Sequence, residues 1–156
     1  MRVQPGCTLP PPSGKCIQKF EQYCRVILPG EYKQFLRQYN GAVPETYVFE
    51  HRGNEFVVER FLCLLDNCED DDVNGWYDLS VVLTQLGERL TDNEDLIGAE
   101  LIPIAALFAG DFLCLDYRNR TMPAMAVWYH EESGEFSPVT SQVADNFDDF
   151  IAMLRE

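Results

Sequence analysis

Apolar positions recur along this chain with two periods, one near 3.6 residues and one near 2. Ile17, Phe20, Tyr23 and Cys24 stand at helical spacing and predict a short amphipathic helix over residues 15–25. After a break at Pro29-Gly30, Tyr32, Phe35, Leu36 and Tyr39 fall at i, i+3, i+4 and i+7 and predict a helix within residues 28–41. Its ends are marked as well: Pro29 suits a first turn, Glu31 complements the positive end of the dipole, and Asn40-Gly41 suit a left-handed close. Strand-like runs follow at 46–50 and 55–65, and the polar His51-Arg52-Gly53-Asn54 between them reads as a hairpin turn. Residues 66–75 are acidic and aperiodic, hence a loop.

A third helical stripe runs through Trp76, Leu79, Val82, Leu83, Leu86 and Leu90, with Asn74 as the expected N-cap and Asp78 in the first turn. Four more strands are expected at 101–108, 111–117, 124–130 and 135–139, with turns at Ala109-Gly110 and Glu132-Ser133-Gly134 that make neighbours antiparallel. Phe147, Phe150, Ile151 and Leu154 then place a closing helix against the sheet. Strands grouped between helices predict an α+β fold: a mainly antiparallel sheet of about six strands packed with N-terminal, central and C-terminal helices. Residues 1–14 hold four prolines and two glycines and are expected to form an extended lead-in that adds little to the core. Residues 15–156 read as a single domain without internal repeats.

A hydrophobic share of 46% suffices for a buried core at this length. The charge changes the picture more. Twelve Lys and Arg against 26 Asp and Glu leave a net charge of −14, which opposes binding to phosphate backbones or anionic lipid. No direct nucleic-acid or membrane partner is expected. The same field attracts a basic protein and speeds its docking at low salt; its plainer role is solubility. Six cysteines at positions 7, 16, 24, 63, 68 and 114 show no paired CxxC spacing, so neither a zinc ribbon nor a redox motif is expected. Cys63 and Cys114 lie inside apolar runs as small core residues, as do Trp76 and Trp128 at pattern positions. The chain shows no secretory signal pattern and no apolar stretch of membrane-spanning length, which predicts a cytoplasmic protein with reduced thiols.

Candidate chemistry concentrates in one loop. Asp66, Glu69, Asp70, Asp71 and Asp72 place five acids in seven positions with no base among them. A partner-binding patch or a solvated loop both explain this; an EF-hand does not, because the glycine and terminal glutamate of that loop are missing. His130-Glu131 follows a strand, yet only His51 and His130 exist and neither sits beside a recognisable nucleophile, so a structural role is expected. Asp111 and Asp116, five apart on one strand, point to opposite faces and make a poor hydrolytic pair. No cofactor, metal or catalytic residue is expected.

Three stretches carry a family resemblance. Leu28-Pro29-Gly30-Glu31-Tyr32 with Phe35-Leu36 and Tyr39-Asn40-Gly41 resembles the proline-opened helix of the SUKH superfamily, the Smi/Knr-like domain, with Ala42 where many members carry a second glycine. Gly110-Asp111-Phe112-Leu113-Cys114-Leu115-Asp116 is similar to its glycine-led strand. Val127-Trp128-Tyr129-His130-Glu131, followed by Phe147 and Phe150-Ile151, resembles its tryptophan-histidine strand and closing aromatic helix. The resemblance implies a non-catalytic binding role. Bacterial members are encoded beside polymorphic toxins, often nucleases or deaminases with basic substrate grooves, and block them by direct contact, so the resemblance implies an immunity protein that occludes the active site of a basic toxin. Fungal members suggest an intracellular interaction scaffold instead. A small hydrolase would require His130 to meet Asp116 or Glu131.

Overall fold

The computed structural model describes residues 1–95, 98–118 and 120–156. Among the described residues, helices α1 (Gly14–Cys24) and α2 (Gly30–Tyr39) precede a hairpin of β1 (Val48–His51) and β2 (Asn54–Phe61). Helix α3 (Leu79–Leu86) interrupts the sheet, which continues as β3 (Leu101–Leu107), β4 (Phe112–Asp116), β5 (Ala124–Trp128) and β6 (Thr140–Ala144) before α4 (Phe147–Met153). The six strands lie in chain order and every neighbouring pair is antiparallel, so the fold is α+β as expected.

Local chemistry accounts for the turns. Arg52 and Gly53 have φ of 51° and 78°, the pair of positive values that a two-residue hairpin between right-twisted strands requires. Ala109 and Gly110, at 68° and 88°, turn β3 into β4. The Ser13 hydroxyl accepts from Cys16 N at 3.1 Å and caps α1.

The sequence misplaces the last strand. Residues 134–137 form a turn, in which Phe136 has φ 52° and Gly134 and Ser137 exchange backbone hydrogen bonds of 3.0 and 3.1 Å. Strand β6 begins only at Thr140, beyond Pro138, which has no N–H to give a ladder. Helix α3 also starts later than its apolar stripe suggests: its N-cap is Asp78, not Asn74, and Asp78 Oδ1 accepts from Ser80 N at 2.8 Å and Val81 N at 3.3 Å.

Alternation along β3, β4 and β5 sends side chains to both faces, and both are covered. Ile102, Ile104, Leu113, Leu115, Met125 and Val127 join the main core with α1, α2 and α4. Leu101, Cys114 and Trp128 form a smaller cluster with Leu90, against which Leu83 and Leu86 of α3 pack. Phe35 stands at the centre of an aromatic group, with its ring 4.7 Å from Phe61 and 5.1 Å from Phe147. Trp128 is fully buried and donates its indole N–H to Arg89 O at 2.9 Å, as a core tryptophan should.

The sheet curls as it goes. Its register shifts between Val58 and Arg60, where the β1–β2 hairpin bends away from β3. At the hairpin tip His51 Nε2 comes within 2.7 Å of Ser141 Oγ on β6, joining the first strand to the last. The outer edge of β1 pairs with Arg155, through backbone bonds of 2.9 and 2.8 Å at Val48.

Residues 1–13 lead into α1 without a helix or named strand of their own, yet they are tied to the body more closely than their composition suggests. Gln4 N donates to Val43 O, Leu9 N to Asn40 O and Glu45 N to Arg2 O, each at 2.9 Å, and Met1 packs against the main core. The buried side chain of Asn40 organises this junction. Its Nδ2 donates to Pro10 O at 2.8 Å and Leu64 O at 3.0 Å, and its Oδ1 accepts from Leu64 N at 2.9 Å.

Two buried polar groups should therefore behave in opposite ways. Asn40→Ala leaves three backbone groups without partners and is expected to lower unfolding stability by about 2–4 kcal/mol in urea. The Tyr32 hydroxyl is buried and finds no hydrogen-bond partner among the described residues. Tyr32→Phe is expected to raise stability by about 1 kcal/mol. A clear loss of stability in that variant would mean that the hydroxyl is in fact satisfied.

Candidate protein-interaction surface

The acidic loop is closed by a backbone clasp. Cys63 N donates to Tyr77 O at 2.9 Å and Cys63 O accepts from Leu79 N at 2.8 Å, which brings the end of β2 beside the start of α3. The carboxylate of Asp78, itself buried, reinforces the closure. While Oδ1 caps α3, Oδ2 accepts from Leu65 N at 2.9 Å. The chain between these points returns on itself, as an Ω-loop does.

Inside the loop the acids divide into two kinds. Asp71 is structural: Oδ1 accepts from Val73 N at 3.1 Å and Asn74 N at 2.8 Å, and Oδ2 accepts from Asn74 Nδ2 at 3.0 Å. Those N–H groups, the Asn74 backbone foremost, hold its pKa below the usual carboxylate value. Asp66 accepts from Ser13 N at 2.9 Å, and that bond lowers its pKa likewise. Glu69, Asp70 and Asp72 are exposed. Asp70 accepts from Asn67 Nδ2, while Glu69 and Asp72 have no hydrogen bond or ion pair among the described residues. Asp66 and Glu69 line a groove of about 460 Å³ whose other wall carries Lys15 and Lys19.

The second half of the loop is rigid for separate reasons. Gly75 N donates to Asp71 O at 3.0 Å, and a Cβ at Gly75 would stand 2.5 Å from Cys68 O, so this approach requires glycine. Arg60 on β2 locks the turn from beneath. Its Nη2 donates to Asn74 Oδ1 at 2.7 Å, its Nε donates to Gly41 O at 3.1 Å, and its guanidinium lies 4.2 Å from the centre of the Tyr77 ring. This turn presents Val73 and Trp76 to solvent, 70% and 64% exposed, with Tyr77 at 38%.

Trp76 therefore does not belong to the core, contrary to its place in the apolar stripe. The helix begins after it, at Leu79, so helical spacing no longer governs where its side chain goes. The signal available in the sequence was local: Gly75 beside it and a strong capping aspartate two positions on.

The remaining candidate groups do not converge. Asp111 Oδ1 accepts from His130 N at 2.8 Å, whereas Asp116 is held by Arg118 through bonds of 3.0 and 2.8 Å. The His130 ring lies against Gly110 and near Arg89, whose Nη2 donates to His130 O. Burial pushes the Cys24 and Cys63 thiols up to about 12, so neither offers a thiolate near neutral pH. Among the described residues, no three His, Cys, Asp or Glu side chains are gathered to hold a metal ion, and no helix is long and apolar enough to cross a membrane.

The antiparallel six-stranded meander, flanked by helices and closed by an aromatic one, defines an α+β domain. The chain belongs to the SUKH family: the family model described as SMI1-KNR4 cell-wall matches residues 15–151, all but the two ends of the chain. The family is generally non-catalytic. No curated protein sequence matches the chain.

The loop's dependence on Asp71 has a definite pH signature. Because the folded-state pKa is depressed, the stabilisation from Asp71 is fully present above the ordinary value of 3.8 and is lost as pH falls through the lower folded value. Acrylamide quenching of Trp76 should therefore rise on acidification before the buried Trp128 becomes accessible. Asp71→Ala, which removes the acceptor for Val73 N and Asn74 N, should show the high quenching already at neutral pH. Identical quenching curves for the two proteins would show that Asp71 does not order the turn.

Proposed function

We propose that this chain is an immunity protein that binds a basic toxin and covers its active site, without turnover or cofactor. The observation carrying this reading is the exposed acidic trio Glu69, Asp70 and Asp72 on a braced loop, in a chain of net charge −14. A toxin that acts on nucleic acid needs a cationic groove for phosphates, and an acidic cap matches that groove in sign. Rigidity adds to the match, since a loop already held by Asp71, Asp78 and Arg60 loses little conformational freedom on docking. Membership of a generally non-catalytic family supports binding over hydrolysis.

A second reading, an interaction scaffold of the Smi/Knr type, draws on the family description itself, which refers to the cell wall. Gene context separates the two, because immunity requires a toxin encoded alongside.

Co-expression with a toxin from the adjacent gene is expected to restore growth. Simultaneous Glu69→Lys, Asp70→Lys and Asp72→Lys should slow association about tenfold or more at low salt without lowering the melting temperature, and added salt should erase the difference. Failure of neighbouring toxins to bind the wild-type chain would refute the immunity reading. Association rates untouched by the triple reversal would refute the role given to the loop.

A further inference from the structure

We infer that Trp76, flanked by Val73 and Tyr77, is a hydrophobic anchor that enters an apolar cleft rimmed by arginine or lysine on a protein partner. This rests on the reading above that the partner is a basic protein, and it adds what that protein must offer besides charge.

Exposed apolar residues taken singly need no explanation, and Tyr23, Ile27, Phe108 and Met122 are of that kind, each at least 60% exposed. The group at 73–77 differs in three respects. It puts three large side chains into five consecutive positions, on one short turn. That turn is fixed from four directions, by the Asp71 carboxylate, the Arg60 guanidinium, the Cys68 carbonyl against Gly75 and the Cys63 clasp. An exposed carboxylate, Asp72, adjoins it directly in the chain, and a second, Asp70, lies two residues further back.

Each respect bears on what would bind. A tryptophan held out by a stiff turn offers a large contact area with little ordering cost, the character of an interface hot spot. Flanking carboxylates repel anionic lipid and phosphate, so neither a bilayer nor a nucleic acid is a suitable occupant. They suit a protein surface on which cationic side chains frame an apolar recess. An arginine there can serve both parts of the site, stacking its guanidinium on the indole face and pairing its charge with Asp70 or Asp72. Charge then steers the approach while the indole sets the residence time.

The test uses two synthetic peptides of equal arginine content, one spaced by serine and one by leucine, titrated calorimetrically into the full chain. The leucine-spaced peptide is expected to bind wild type about tenfold more tightly than the serine-spaced one. Trp76→Ala should bring the two peptides level, weakening the serine-spaced one only by the lost guanidinium stacking and leaving the melting temperature unchanged, and Trp76→Phe should keep part of the preference. In wild type the leucine-spaced peptide should also shield Trp76 from acrylamide. Equal affinities for both peptides, still weakened by the Lys reversals at 69, 70 and 72, would overturn the anchor and leave the acidic reading standing. Binding of neither peptide at low salt would overturn both.

Discussion

The backbone of Cys63 sets the terms for everything proposed about this molecule. By giving its N–H to Tyr77 and its carbonyl to Leu79, it fixes the two ends of the acidic loop to the rim of the sheet. Without that closure, five carboxylates in seven positions would repel one another into an open ensemble. With it, the repulsion acts on a loop whose path is already decided. Asp78 makes the closure double, because one buried carboxylate serves both the Leu65 N–H and the start of α3. The core below holds Cys63 in place in turn: Phe61, Leu62 and Leu64 on either side of it are all buried.

Within the loop, geometry divides residues that composition treats alike. Asp66 and Asp71 take backbone N–H groups as partners, so their charge is held by the backbone and contributes to order. Glu69, Asp70 and Asp72 keep theirs facing water, where the charge acts at a distance. A patch of this kind is more useful for recognition than a uniform acidic coil, since the structural acids hold the exposed ones in a fixed array. The indole of Trp76 gains from the same bracing. A floating tryptophan would fold back onto the nearest apolar surface; one set on a turn with a glycine pinned under Cys68 O cannot do so freely.

Much of the fold was legible because burial imposes periodicity. The stripe Tyr32, Phe35, Leu36, Tyr39 predicted α2, and Phe147 with Phe150 predicted α4, because each helix has one face to hide. The central strands were readable for the opposite reason, being apolar throughout as sheets covered on both sides must be. Strand β6 was not readable. Thr140, Ser141 and Gln142 carry little apolar signal at the edge of the sheet, and Phe136 in the preceding turn mimics a strand residue. Trp76 was misread by the reverse error, a hydrophobic residue assigned to a helix that begins three positions later. The acidic loop was visible as composition, but not which of its acids are structural, since that depends on N–H groups from Ser13, Val73 and Asn74.

The curl of the sheet explains why recognition on this fold can be local. A hydrogen bond from His51 to Ser141 joins the hairpin tip to β6, and Arg155 pairs along the far edge of β1, so neither outer strand is left wholly open as a template for another chain. Strand addition at an edge is thereby discouraged as a way of meeting partners. The loop between β2 and α3 combines exposed carboxylates with an exposed, braced aromatic ring. A fold that fastens its edges and stiffens one loop gives the side chains on that loop a fixed arrangement. Glu69, Asp70, Asp72, Val73 and Trp76 can be exchanged without disturbing the Cys63 clasp, whereas Asp71, Asn74 and Gly75 cannot be changed without loosening the turn.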